Sequence, residues 1–156
     1  MTLAQGAWLA LAAYALHILE EFAFDWRNWA RTALHLPVDW PDFYVTNAVV
    51  VVLGLVQAEL APSLPLAPLT FAALMVINAT FFHLLPFLRA GGRFSPGLFT
   101  ALILFYPLAG AMFMRAAGDG VLDAATLAGA ILGGAILMAF PVAMLLVKGR
   151  PYFRQK

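Results

Sequence analysis

Long apolar runs, broken at intervals by proline, glycine and charge, dominate this sequence. A helix that crosses a bilayer needs about 20 mostly apolar residues. Five stretches reach or approach that length: 3–24, 43–60, 69–88, 96–114 and 121–147. The stretch 25–36 has a different pattern. Trp26, Trp29, Ala30, Ala33 and Leu34 recur at helical spacing, whereas Arg27, Asn28 and Arg31 fall largely elsewhere. This predicts a short helix lying in the membrane interface, its tryptophans at headgroup level. Pro37 and Pro41 end it, and Pro62, Pro65 and Pro68 make a tight uncharged turn before the third span. The pattern predicts an all-α fold, an integral membrane bundle of about five transmembrane helices with a short interfacial helix after the first. Residues 1–156 form a single transmembrane domain, with no room for one outside the membrane.

Composition strengthens this picture. Hydrophobic residues make up 63% of the 156 and charged residues 11%, against roughly 25% charged in a soluble domain. The net charge of +1 and the lack of a separate basic face give no nucleic-acid partner. The absence of cysteine removes disulfides, thiolate metal sites and thiol nucleophiles. The first run has no basic leader and continues into His17-Ile18-Leu19-Glu20-Glu21, so it is expected to be a retained helix. Gly129 and Gly133 give the fifth span a small-xxx-small seam. Packing within the chain is the commoner use of such a seam, and contact with a second copy is the other.

Basic residues set the expected orientation. Five spans put Arg27, Arg31, Arg89, Arg93, Lys148, Arg150, Arg154 and Lys156 on one side, and only Arg115 on the other. The C-terminus is therefore expected in the cytoplasm and the N-terminus outside.

Charges inside a membrane cost about 2.5–3.5 kcal/mol each at a helix centre on insertion scales, so those that remain need a reason. His17, Glu20 and Glu21 stand at i, i+3 and i+4, on one face of the first helix. Tyr14 lies one turn before them and Asp25 one turn after. Asn78 and His83 interrupt the third span, but five residues on an ideal helix place them about 140° apart. They share a cavity only if it is broad or the helix bends, and Pro86 is placed to bend it. The alternating directions of five spans bring His17 and His83 to similar depth in the cytoplasmic half. Asp42, Tyr44, Thr46 and Asn47 join them from the second span, and Ser95 and Thr100 from the fourth. Two imidazoles and two carboxylates suit a divalent metal such as zinc or iron, with His17, Glu20, Glu21 and His83 as candidate ligands. Without metal the same groups suit acid–base chemistry. The plainer alternative pairs Glu20 and Glu21 with Arg27 or Arg31 near the interface. No organic cofactor is expected.

The His17-x-x-Glu20-Glu21 pattern in a first span resembles the signature of the HXXEE family of small bacterial membrane proteins. The Asn78…His83 pair resembles that family's second polar motif. The segment Ser95-Pro96-Gly97-Leu98-Phe99-Thr100-Ala101, with Pro107 beyond it, is similar to another common segment. By length, the resemblance extends over essentially the whole chain. It implies a bacterial cytoplasmic membrane and an enzyme whose shared polar residues are catalytic or metal-binding. It implies no particular reaction.

Three functions are compatible with these residues. The first is a metal-dependent membrane enzyme with His17, Glu20, Glu21, Asn78 and His83 as its site. Its partners are membrane lipid and a lipid-like substrate, acyl or isoprenoid. The second is a small transporter or binding protein coupled to a proton or cation. The third is a structural subunit, with Gly129 and Gly133 facing a partner or a second copy.

Overall fold

The structure, a computed structural model, describes residues 1–148 and 150–153. Arg154 and Lys156, counted above in the basic tail, lie outside the described residues. Six helices follow one another: α1 (Leu3–Ala23), α2 (Trp26–Ala33), α3 (Trp40–Leu60), α4 (Leu66–Arg89), α5 (Leu98–Gly118) and α6 (Ala124–Lys148). Four of them, α3 to α6, are each long and apolar enough to cross a membrane, and the bent pair α1–α2 makes a fifth if the two count as one span. The chain is therefore an all-α, multi-pass membrane protein. Large apolar side chains such as Leu19, Ile103 and Ile136 project outward. A bundle in lipid leaves such groups exposed at no cost, because lipid tails are as apolar as leucine.

Local chemistry explains where the helices begin and end. Thr2 caps α1 by accepting from the Gln5 N–H at 3.1 Å, and the Gln5 side chain accepts from the Thr2 N–H at 2.9 Å. At Asp25 the chain turns through a left-handed residue, φ 54°, and α2 leaves the α1 direction by 73°. Asp25 accepts from the Asn28 N–H and starts α2, so it does not extend the α1 polar face. Pro41 does not break structure. It sits in the first turn of α3, where a missing N–H costs nothing. Pro68 takes a similar place early in α4. Asp123 accepts from the Thr126 N–H at 2.7 Å at the start of α6. That bond holds its carboxyl below the usual carboxylate range.

The centre of the bundle is α4. Half of its span is buried, against 11% of α6 at the edge. Tyr14, Phe71 and Phe105 pack ring against ring between α1, α4 and α5, with Leu69, Met75 and Met112 around them. Buried Gln57 ties α3 to α1, its amide donating to the Ala7 carbonyl at 2.8 Å. The glycine seam of α6 is taken up within the chain. A Cβ on Gly133 would stand 2.9 Å from the Thr70 side chain, one on Gly129 3.4 Å from Leu66, and one on Gly134 2.7 Å from the Leu74 backbone nitrogen. Small residues let two backbones approach, and here the second backbone is α4.

Basic side chains gather at one end. Arg31 pairs with Asp39 at 2.7 Å, Lys148 pairs with Asp42, and Arg93 lies over the Trp29 ring. Trp29 is buried on the inner face of α2, beneath the Arg93 guanidinium.

Candidate functional site

Two helices depart from α geometry, and both departures meet the same place. Residues Ala79–Leu84 of α4 and Ala101–Phe105 of α5 form π turns. The Leu85 N–H bonds back five residues to Thr80, and the Tyr106 N–H to Ala101. Each segment is followed by a proline, Pro86 and Pro107, that has no N–H to continue an α ladder. A π turn advances through a smaller angle per residue, so residues five apart come closer to one face. That narrows the expected offset of Asn78 and His83. His83 reaches Glu21, and Asn78 lines the cavity that Glu21 also lines.

His17, Glu21 and His83 are all buried. The Nε2 atoms of the two histidines each lie 3.5 Å from Glu21 Oε1. The rings stand edge to face, their centroids 4.7 Å apart. Potential ligand atoms of the three residues lie within 4.8 Å of one another, close enough to hold one metal ion.

Hydrogen bonds at the far side of each ring fix what the near side offers. Thr100 Oγ1 has one hydrogen. Glu20 Oε2 lies 2.6 Å away and takes it in a charge-assisted bond. The hydroxyl oxygen then accepts from His17 Nδ1–H at 2.7 Å. Ser95 Oγ lies 3.4 Å from the Phe82 carbonyl and 3.3 Å from His83 Nδ1. With Nδ1 carrying the ring proton, each ring turns an Nε2 lone pair inward. Neither Nε2 has a hydrogen-bond partner, and both face a carboxylate oxygen. Three acceptor atoms this close to one another need a shared proton or a cation between them.

The two neighbouring acids separate. Glu20 accepts from the N–H groups of Gly97, Phe99 and Thr100 at 3.1, 3.1 and 2.8 Å, besides the Thr100 hydroxyl. All four of its acceptor positions are used at the start of α5, where free N–H groups favour an anion. Glu20 thus stands behind His17 as an anchor, away from the three atoms that converge, which corrects the expectation that both acids are ligands. Their phases explain it: i+4 keeps Glu21 beneath His17, while i+3 turns Glu20 toward α5.

Gly97, Ser95 and Thr100 complete the site. Gly97 has φ +93°, and a Cβ there would lie 2.5 Å from His83 Cε1 and 2.7 Å from His17 Cε1. Only glycine fits both that conformation and that approach. In the sequence Ser95 and Thr100 show only as polar groups at the right depth, and Gly97 only as part of a shared segment. Of the other residues expected there, Thr46 and Asn47 line the cavity, Asp42 pairs with Lys148, and Tyr44 faces outward against Trp40. Tyr14 packs on the edge of His17.

The cavity beside Glu21 and Asn78 has a volume of about 70 Å³. Asn78 is buried, and its Oδ1 has no hydrogen-bond partner.

A family model described as "Protein of unknown function with HXXEE motif" matches residues 8–112. The match ends within α5 and leaves α6 outside, short of the whole-chain extent that length implied. No curated protein and no solved structure matches the chain. The match takes in His17, Glu20 and Glu21 together with every other residue built into the site above, so the chain belongs to the HXXEE family.

Proposed function

We propose that this protein is a metal-dependent membrane enzyme acting on a lipid-like substrate, with His17, Glu21 and His83 as the metal ligands. One observation carries the proposal: two imidazole lone pairs and a carboxylate oxygen converge, each imidazole oriented from behind by a hydroxyl. Ligating histidines are oriented in this way in metal sites generally. The 3.5 Å between each Nε2 and Glu21 Oε1 also fits. A tetrahedral zinc with bonds of 2.0–2.2 Å spaces its ligands about 3.4 Å apart. Two histidines and one carboxylate are equally a ligand set of non-haem iron.

The bound ion would polarise a substrate oxygen or lower the pKa of a water. The chain's own residues supply the rest. Glu20 and Thr100 hold the His17 ring and its tautomer. Ser95 holds His83. Asn78 offers an amide to a polar group in the cavity. Tyr14 and Phe105 wall the His17 ring with apolar surface, which keeps water away and strengthens every charge interaction there. The side with the basic residues is the cytoplasmic one in this proposal, within a bacterial inner membrane, and the N-terminus lies outside.

Elemental analysis of detergent-purified protein tests the proposal. Near-stoichiometric zinc or iron is expected in the wild type, with loss in His17→Ala and Glu21→Gln while the bundle still melts cooperatively. Wild-type protein that stays metal-free after reconstitution defeats it. Proton or cation exchange by the same residues would then be measured in liposomes.

A further inference from the structure

A larger apolar slot adjoins the cavity beside Glu21. Helix α3 packs on α1 and α4, while α6 packs on α4. Their facing sides leave a slot of about 400 Å³, within the usual range of ligand pockets, about 300–1,000 Å³. Its walls are Val45, Val49 and Leu53 of α3 and Phe140 and Met144 of α6, and Leu74 of α4 is among its lining. Slot and cavity share Thr46, Val50 and Leu74, so they adjoin along one side.

Four features identify what fits. The slot follows α3 from Asp42 to Leu53, about 16 Å at the helical rise of 1.5 Å per residue. That is close to one leaflet, half of a hydrocarbon core about 30 Å thick. The wall is apolar and open, with Val45, Val49, Phe140 and Met144 about half exposed or more. Its mouth at the basic end carries the Asp42–Lys148 ion pair, at the level of lipid headgroups. The inner side holds the opposite chemistry: the buried Asn78 amide beside Glu21. A molecule suited to both is a long apolar chain bearing an oxygen-containing group.

We infer that the slot between α3 and α6 takes up the chain of a fatty acyl lipid from the leaflet at the basic end, turning its polar acyl group into the cavity at Glu21 and Asn78. This names the substrate class of the proposed metal enzyme and rests on that reading for its chemistry. The slot itself stands on separate residues. It also assigns a role to α6, which lies beyond the family match and forms one wall.

The test uses the full chain in lipid nanodiscs and palmitic acid carrying a photoactivatable diazirine. Cross-links are mapped by peptide mass, and metal content is measured on the same samples. Val49→Trp and Met144→Trp place a large ring in the slot. Ile131→Trp, outside the slot and already exposed to lipid, is the control. The expected result is labelling concentrated on the facing sides of α3 and α6, reduced at least fivefold in both slot variants and unchanged in the control. Labelling spread evenly over outward faces, including those of α1 and α5, and indifferent to Val49→Trp and Met144→Trp overturns the inference. Slot-specific labelling of a metal-free protein would defeat the enzyme proposal alone. A metal-loaded protein without slot labelling would defeat the slot alone.

Discussion

Two adjacent glutamates illustrate how one residue of helical phase separates two roles. Glu21 Oε1 faces both imidazoles, and Glu20 is saturated by donors from α5. Their amide variants are expected to behave oppositely. Glu21→Gln loses the metal, whereas Glu20→Gln keeps it at saturating metal but lowers the melting temperature, because four donors lose a charged acceptor. Thr100 stands between. Thr100→Val preserves shape and removes the hydroxyl that holds His17 Nδ1. Its metal affinity should fall about 10–100-fold, the usual effect of removing a residue that orients a ligand. Thr100→Ser should restore most of it. Titration with a competing chelator reads both. Equal metal loss in Glu20→Gln and Glu21→Gln would contradict the separation.

Helix geometry carries the next level of the design. The π turn of α4 brings His83 closer to the face of Asn78, and Pro86 follows it at the point where an α ladder would need an N–H. Such turns recur at functional sites because they trade local regularity for side-chain placement. Pro86→Ala supplies the missing donor, and the Phe82 carbonyl becomes available for an ordinary α bond. We expect the segment to tighten, His83 to swing off Glu21, and metal affinity to fall by about tenfold or more. The melting temperature should hold or rise, since proline inside a helix costs about 3 kcal/mol. A fall in both would mean that Pro86 supports the fold and not the turn.

For the molecule as a whole, α4 is the post on which the other spans lean. The α6 glycines set how closely its neighbour approaches. A Cβ on Gly134 would meet α4 backbone at 2.7 Å, so Gly134→Ala should push α6 outward. Overpacking of this kind costs about 1–3 kcal/mol, seen as a lower melting temperature. The slot should widen too, and fatty-acid labelling should become less selective. Unchanged stability would show that α6 can slide along α4 without strain.

Local sequence pattern was enough to read the membrane class, the number of long helices to within one, and a polar cluster at one end of the bundle. These follow from properties summed along short stretches of chain. Hydrophobicity over about 20 residues decides a span, and i, i+3, i+4 spacing decides which side chains share a turn. Pro86 also marked where α4 would depart from regularity. Tertiary packing was needed to show that Glu20 anchors and Glu21 converges, that His83 reaches Glu21 from a π turn, and that Gly97 must lack a side chain. It also decided that Trp29 turns inward and that the α6 glycines face α4. Each of these depends on a partner distant in the chain: the free N–H groups of α5, two imidazole edges, the backbone of a neighbouring helix. Helical phase and hydrogen-bond competition are settled between elements, and a single stretch of sequence does not contain the competitor.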